Sequence, residues 1–153
     1  MLTVIRGGGD LATGIALRLR RSHIQVVMTE IERPTAIRRT VCYSTAIVSD
    51  EIAVEETMAR RAENIFQARE LLREGVVPVL VDPAGSCIPR LRPDVVVDAI
   101  LAKKNLGTKI TDAPVVIGVG PGFTAGEDCH AVVETMRGHY LGRVIYQGTA
   151  IPN

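Results

Sequence analysis

Residues 2–12 read LTVIRGGGDLA, a short apolar run that ends in three consecutive glycines and leads into a helix-forming segment. The run at 2–5 has the length and composition of a buried strand. Beyond it, apolar residues at positions 11, 12, 15, 16 and 19 recur at the spacing of one helical face, and arginines at 18, 20 and 21 suit a helix C-terminus. The stretch therefore predicts strand, glycine loop and helix, the opening unit of a nucleotide-binding α/β fold.

The glycine loop matches the pattern GxGxxA in the context that makes the pattern meaningful. Gly7 permits a tight turn, Gly9 lets the backbone approach a pyrophosphate, and Ala12 lets helix and strand pack closely; Gly14 is expected to do the same. We expect a ligand to contact Gly7, Gly8, Gly9, Asp10 and Leu11. A simple tight connection between strand and helix is the alternative.

Glu30 strengthens the nucleotide interpretation. Residues 24–29 predict the second strand, and Glu30 follows it about 20 residues after the glycine loop, where a carboxylate accepts hydrogen bonds from ribose hydroxyls. A carboxylate there disfavours a 2′-phosphate, so an NAD-like dinucleotide is favoured over NADP. Asp10 would place a negative charge beside the phosphates; we interpret it as a helix N-cap, with contact to a ligand hydroxyl or a metal as the alternative.

Apolar runs and helix-like segments alternate along the rest of the chain. The spacing predicts a long helix over 58–74, closed by Gly75, and one or two short strands within 41–54. Further strands are predicted at 76–81, 94–97, 115–119 and 143–147. We therefore expect one Rossmann-like domain over residues 1–153, an α/β fold with a mostly parallel sheet and helices on both faces.

A second glycine loop, GVGPGFTAG at 118–126, follows the strongest apolar strand of the C-terminal half. Its backbone at Gly120, Pro121 and Gly122 is a candidate anion-binding nest, with Thr124 as a hydroxyl donor. A turn that needs unusual dihedrals is the equal alternative. The loop lacks the Lys-Ser/Thr pair of a P-loop, which argues against nucleotide hydrolysis.

Charged residues after the other strands are further candidates. Asp98 ends its strand and Lys103 follows, so both are expected to face the crevice at the carboxyl ends of the strands, unless Asp98 forms a salt bridge at a helix start. His130 and Glu134 would share one face of a helix, but the chain has no HExxH motif and no metal site is predicted.

Three residues near position 40 each have both a functional and a structural interpretation. Arg38 and Arg39 are candidates for clamping a phosphate or a pterin-type anion, or are simply solvated. Cys42 is either a sulfur-handling thiol or, more commonly for cysteine, a buried residue.

The composition argues against several classes of protein. A net charge of +1 and an aromatic content of 3% argue against a nucleic-acid partner, and the absence of an apolar run near 20 residues argues against a membrane span. The three cysteines form no CxxC pair, and the N-terminus has no signal-peptide pattern. These observations predict a cytoplasmic protein, and they leave a homo-oligomer open.

Four blocks, 4–14, 38–41, 97–103 and 120–126, together resemble one family. It is the selenium-dependent molybdenum hydroxylase system proteins, also called YqeB-like, which are related to the Rossmann part of the xanthine dehydrogenase accessory factor XdhC. The likeness runs over almost the whole chain. Members of this family continue further, so the resemblance implies a short member or the N-terminal part of a longer architecture.

The resemblance implies an accessory role in maturing a molybdenum hydroxylase, through a molybdopterin nucleotide or through inserted sulfur or selenium. The expected partners are the hydroxylase or its maturation machinery. The alternatives are an NAD-dependent oxidoreductase, for which Lys103 or His130 would have to supply the proton, and a sensor that binds NAD without turning it over.

Overall fold

The computed structural model describes residues 1–153 as one nine-stranded sheet with four α-helices. The strands are β1 (Leu2–Arg6), β2 (Gln25–Glu30), β3 (Glu51–Val54), β4 (Thr57–Ala62), β5 (Val77–Val81), β6 (Val95–Asp98), β7 (Val115–Val119), β8 (Ala131–Val133) and β9 (Val144–Ile145). The helices are α1 (Asp10–Arg21), α2 (Ala46–Ser49), α3 (Ile65–Arg73) and α4 (Ile88–Leu91). Two 3₁₀ turns, Arg39–Val41 and Tyr43–Thr45, precede α2. None of the helices is long and apolar enough to cross a membrane.

The strand order in the sheet is β3-β4-β5-β2-β1-β6-β7-β8-β9. The six strands from β5 to β8 reproduce the 3-2-1-4-5-6 order of the Rossmann fold. Every neighbouring pair is parallel except the two edge pairs, β3 with β4 and β8 with β9. The predicted mostly parallel Rossmann-like sheet is confirmed.

The helices lie on both faces of the sheet, as predicted. Buried residues of α1 and α2, among them Ala16 and Ile47, pack on one face with Ile5 and Met28. Buried residues of α3 and α4 pack on the other face around Val4, Val27 and Val96. No helix joins β6 to β7 or β7 to β8; loops make these connections, and Phe123 from one of them fills the core on the α3 face.

The long helix predicted over 58–74 is wrong in its first half. Residues Thr57–Ala62 form β4, which pairs with β5 on one side and with β3 on the other. The two-residue turn at Glu55 and Glu56, with a left-handed Glu55 (φ 52°), closes the β3–β4 hairpin. The helix begins only after Asn64, whose side chain accepts the Gln67 N–H at 2.8 Å.

Of the one or two short strands predicted within 41–54, one is found at Glu51–Val54, and Tyr43–Ser49 is helical. At α1 the N-cap is Gly9, and Asp10 is the first helical residue, so the prediction of Asp10 as N-cap is wrong by one position. Gly14 is exposed, with no atom within 4 Å of where a Cβ would lie, so it does not serve close packing.

Glu134 fastens the last residues of the chain to the sheet. Its buried carboxylate accepts backbone N–H groups from Thr135, Met136 and Ile151, each at 2.9 Å. Hydrogen bonds from Ile151, then Met136 and Thr135, hold the pKa of this carboxyl below its ordinary value. The folded state therefore favours the ionised form.

We expect Gly7→Ala to lower the free energy of unfolding by about 2 kcal/mol or more, because Gly7 has φ +106° and a Cβ there would lie 2.7 Å from the Ala99 carbonyl oxygen. The matched control is Gly14→Ala, which should raise stability by about 0.5–1 kcal/mol, since it replaces an exposed helical glycine. Urea denaturation of both variants measures the difference. Equal stability of the two variants would contradict this account of the turn.

We expect the stability advantage of the wild type over Glu134→Gln to depend on pH. A carboxyl whose pKa is lowered by folding stabilises the protein fully above its unfolded pKa of about 4.3. That contribution is lost as the pH falls through the folded pKa. Urea denaturation from pH 7 down to pH 3 should show the two proteins converging in acid; a constant difference would contradict the prediction.

Candidate functional site

A cavity of about 300 Å³ opens at the carboxyl ends of β1 and β6. These strands lie side by side, and the chain leaves them in opposite directions, so this is the topological switch point where Rossmann folds bind ligands. The walls come from the loop after β1, the end of β2 and the loops after β5 and β6. The lining residues are Gly7 to Ala12, Thr29 to Ile31, Thr35, Ala36, Pro83, Ala99 to Leu101, and Leu106. We call it the glycine-loop cavity.

The three glycines of the loop differ in the space that a side chain would have at each position. At Gly7 a Cβ would strike the backbone of Ala99, and at Gly8 it would lie 3.1 Å from the Ser44 nitrogen. Both positions are therefore crowded by the protein itself. No atom lies within 4 Å of a Cβ placed at Gly9, so only this glycine faces open space on the side where a ligand would approach.

The start of α1 offers unpaired donors to the cavity. The backbone N–H groups of Gly9, Asp10 and Ala12 have no acceptor in the protein, whereas the Leu11 N–H donates to Asp10 Oδ1 at 2.9 Å. Free N–H groups and the positive end of a 12-residue helix dipole favour an anion here. The carboxylate of Asp10 opposes that field and is partly offset by Arg38, whose Nη1 lies 3.6 Å away.

Glu30 lies at the end of β2, as the sequence predicts, and its carboxylate lines the cavity. Its Oε1 accepts the Gly8 N–H at 3.1 Å, and its Oε2 accepts the Ile31 N–H at 2.6 Å. The side chain thus fixes the glycine loop against the end of β2. A carboxylate has about four acceptor positions, so two remain for ligand hydroxyls.

The other predicted binding residues lie outside this cavity. Lys103 is exposed, with φ 63°, on the loop after β6. Gly120, Pro121, Gly122 and Thr124 follow β7 and do not line the cavity. Gly120 (φ +84°) and Gly122 (φ +109°) have the unusual dihedrals of the turn interpretation, and Thr124 donates its N–H to Asp128.

Asp98 takes part in a buried network, in place of the crevice position that the sequence predicts. Its Oδ2 accepts the Thr108 hydroxyl at 2.6 Å and lies 3.9 Å from Arg6 Nη1. Arg6 Nη1 in turn donates to the Thr108 Oγ1 at 2.8 Å. The salt-bridge alternative for Asp98 is therefore the one found, although the segment that follows is a loop and no helix starts there.

Arg6, which is 1% exposed at the end of β1, was not predicted from the sequence as a site residue. Its Nη2 donates to the carbonyls of Pro83 (2.9 Å) and Leu106 (3.2 Å), two residues that line the glycine-loop cavity. Arg6 therefore holds two walls of the cavity in place. The available signal was an arginine inside a strand whose other residues are suited to full burial.

The three cysteines are all buried and unpaired. Burial raises the pKa of the Cys42 and Cys129 thiols, and raises that of Cys87 to about 12. Protonated, inaccessible thiols are poor nucleophiles, so the buried interpretation of Cys42 holds and a sulfur-handling thiol is not supported.

The other polar residues that were candidates for binding an anion or a metal do not form one cluster. Arg38 and Arg39 are exposed, and His130 and Glu134 lie on either side of β8, so they share no helical face. His130 Nδ1 accepts the Val116 N–H at 2.9 Å. The structure contains no group of three or more His, Cys, Asp or Glu side chains arranged to hold a metal ion.

The chain is similar to a protein of Escherichia coli (strain K12) named "Uncharacterized protein YqeB", with 55% identity over 152 residues. The match covers 99% of this chain but 28% of that relative, so the chain spans less than a third of the relative's length. The relative's name states no activity. No family model and no solved structure matches the chain.

We expect Arg6→Met to lower the free energy of unfolding by about 3–5 kcal/mol, because it leaves the Asp98 carboxylate buried without its cation. The Arg6→Met/Asp98→Asn double variant should lose less than the sum of the two single losses, with a coupling of about 1 kcal/mol or more. Urea denaturation of the wild type, the two single variants and the double variant gives the four free energies of this double-mutant cycle. Simple additivity would show that the two side chains do not interact.

Proposed function

We propose that this chain is a cytoplasmic accessory protein that binds the nucleotide part of a cofactor at the glycine-loop cavity and serves the maturation of a molybdenum hydroxylase. The observation that carries the binding proposal is the set of free N–H groups of Gly9, Asp10 and Ala12. These residues line a cavity at the switch point of a Rossmann-order sheet. The maturation role rests on the family resemblance of the four sequence blocks. Three unpaired buried cysteines suit a reducing compartment.

The expected pose follows from the position of each donor and acceptor. Phosphate oxygens would accept from the N–H groups of Gly9 and Asp10, and the ribose hydroxyls would donate to Glu30. The cavity volume of about 300 Å³ lies at the lower end for small-molecule sites, which suits one nucleotide half of a larger cofactor. A molybdopterin nucleotide and an NAD-like dinucleotide share that half.

The lining of the cavity favours binding over catalysis within this chain. Its ionisable side chains are the carboxylates of Asp10 and Glu30 alone, and Lys103 and His130 lie elsewhere. A hydride-transfer enzyme requires a proton donor beside the nicotinamide. If the ligand proves to be NAD, the same observation favours a sensor over an oxidoreductase.

We expect Gly9→Val to lower ligand affinity at least 100-fold and to leave the fold intact, because its side chain would occupy the open space over the free N–H groups. Calorimetry with NAD, NADP, FAD, ATP and molybdopterin dinucleotides measures binding, and thermal denaturation checks folding. Gly14→Ala, a change on the exposed side of the same helix, is the control and should bind like the wild type.

Wild-type affinity in Gly9→Val would refute the placement of the ligand, and no binding of any of these ligands by the folded protein would refute the nucleotide site. Preference for NAD over NADP is expected from Glu30.

The maturation role has a separate test in cells that lack the protein. Their molybdenum hydroxylase activity should be low, and it should be restored by the wild-type gene but not by Gly9→Val.

A further inference from the structure

A second and larger cavity lies on the α3/α4 face of the sheet, between α4 and the segment 107–114. Its volume is about 870 Å³, nearly three times that of the glycine-loop cavity. Charged and hydroxyl-bearing side chains line it beside prolines, glycines and alanines, so it offers polar groups to a ligand. We call it the Arg92 cavity, after the arginine at its rim.

Cationic side chains outnumber anionic ones around this cavity. Arg6, Arg92 and Lys109 line it, together with the carboxylates of Asp94 and Asp112. Both carboxylates are already engaged by backbone N–H groups: Asp94 accepts that of Leu2 at 2.8 Å, and Asp112 accepts that of Lys109 at 2.9 Å. No salt bridge joins Arg92 or Lys109 to any carboxylate, so both cations are free to bind a ligand.

The wall of the cavity contains an unsatisfied donor. Arg6 Nε is buried and has no hydrogen-bond partner, although the two Nη atoms of the same guanidinium are bonded. A Cβ at Gly85 would lie 3.4 Å from this Nε and 3.1 Å from the Ile88 Cδ1, so the guanidinium lies close behind Gly85 and Ile88 in the cavity wall. Asp98, which does not line the cavity, balances Arg6 from 3.9 Å, the distance between its Oδ2 and Arg6 Nη1.

Arg92 itself adopts a strained conformation. It is the C-cap of α4, with φ 51° and ψ 58°, a left-handed position that favours glycine. A non-glycine residue there costs about 1–2 kcal/mol. The Arg92 side chain lines the cavity and is exposed to solvent.

We propose that the Arg92 cavity is a binding site, separate from the glycine-loop site, for a small phosphate-bearing molecule whose phosphate lies between Arg92 and Lys109 above Arg6. The hydroxyls of Ser86 and Thr111 line the same cavity and supply further donors. The volume exceeds what a bare phosphate ion fills, so a sugar phosphate binds more tightly than inorganic phosphate. This inference does not depend on the proposed function.

The test is calorimetric titration of the full chain with inorganic phosphate and with ribose 5-phosphate. Arg92→Gly and Lys109→Gln should each weaken ribose 5-phosphate binding about tenfold, the effect of one charge-assisted hydrogen bond. Arg92→Gly should also leave the melting temperature unchanged or raise it, because glycine relieves the left-handed strain. A loss of affinity without a loss of stability separates binding from a structural role.

Two controls assign the site. Arg90→Gln removes the same charge two residues away, from an exposed side chain outside the cavity, and should bind like the wild type. Gly9→Val should retain phosphate binding, whatever it does to nucleotides. Phosphate binding that is lost in Gly9→Val and kept in Arg92→Gly would overturn the proposal, as would the absence of binding by either probe up to about 10 mM.

Discussion

The buried guanidinium of Arg6 joins the two central strands where the chain changes direction across the sheet. Arg6 and Asp98 are register partners on β1 and β6, and Thr108 connects them through two hydrogen bonds. A buried arginine must have its charge paired and most of its N–H groups bonded, because desolvation of an unpaired ion costs several kcal/mol. The loops that carry Pro83, Leu106 and Thr108 supply these partners. Their positions, and hence the walls of both cavities, follow from that requirement.

The glycine-loop cavity is built mainly from backbone. Gly7 and Gly8 bring the loop against Ala99 and Ser44, Gly9 leaves the approach open, and the start of α1 presents unpaired N–H groups. Such a surface recognises an anion and a sugar well but offers little to a reaction, since proton transfer requires titratable side chains. The Glu30 carboxylate accepts the Gly8 N–H. It is also the acceptor that we propose for the ribose hydroxyls. The geometry of the site therefore agrees with cofactor handling.

The two cavities share one wall. Pro83 and Leu106 line the glycine-loop cavity, their neighbours Ala84 and Gly107 line the Arg92 cavity, and Arg6 lies between them. A ligand in either cavity would lie close to the Arg6 guanidinium and to the loops that carry Pro83 and Leu106.

β1, the glycine loop, α1, β2 and the position of Glu30 are all predictable from the amino-acid sequence, because these features depend on local periodicity and on turn residues at fixed spacing. The parallel sheet is predictable as well, through buried apolar runs alternating with helices. The strand at residues 57–62 is not predictable in this way, because pairing with β5 in the folded chain overrides a local pattern that also suits a helix. The folded chain also places Asp98 beside Arg6 and brings Arg92 and Lys109 to the lining of one cavity. These residues are far apart in the chain, and the register that pairs Arg6 with Asp98 is encoded by no local pattern.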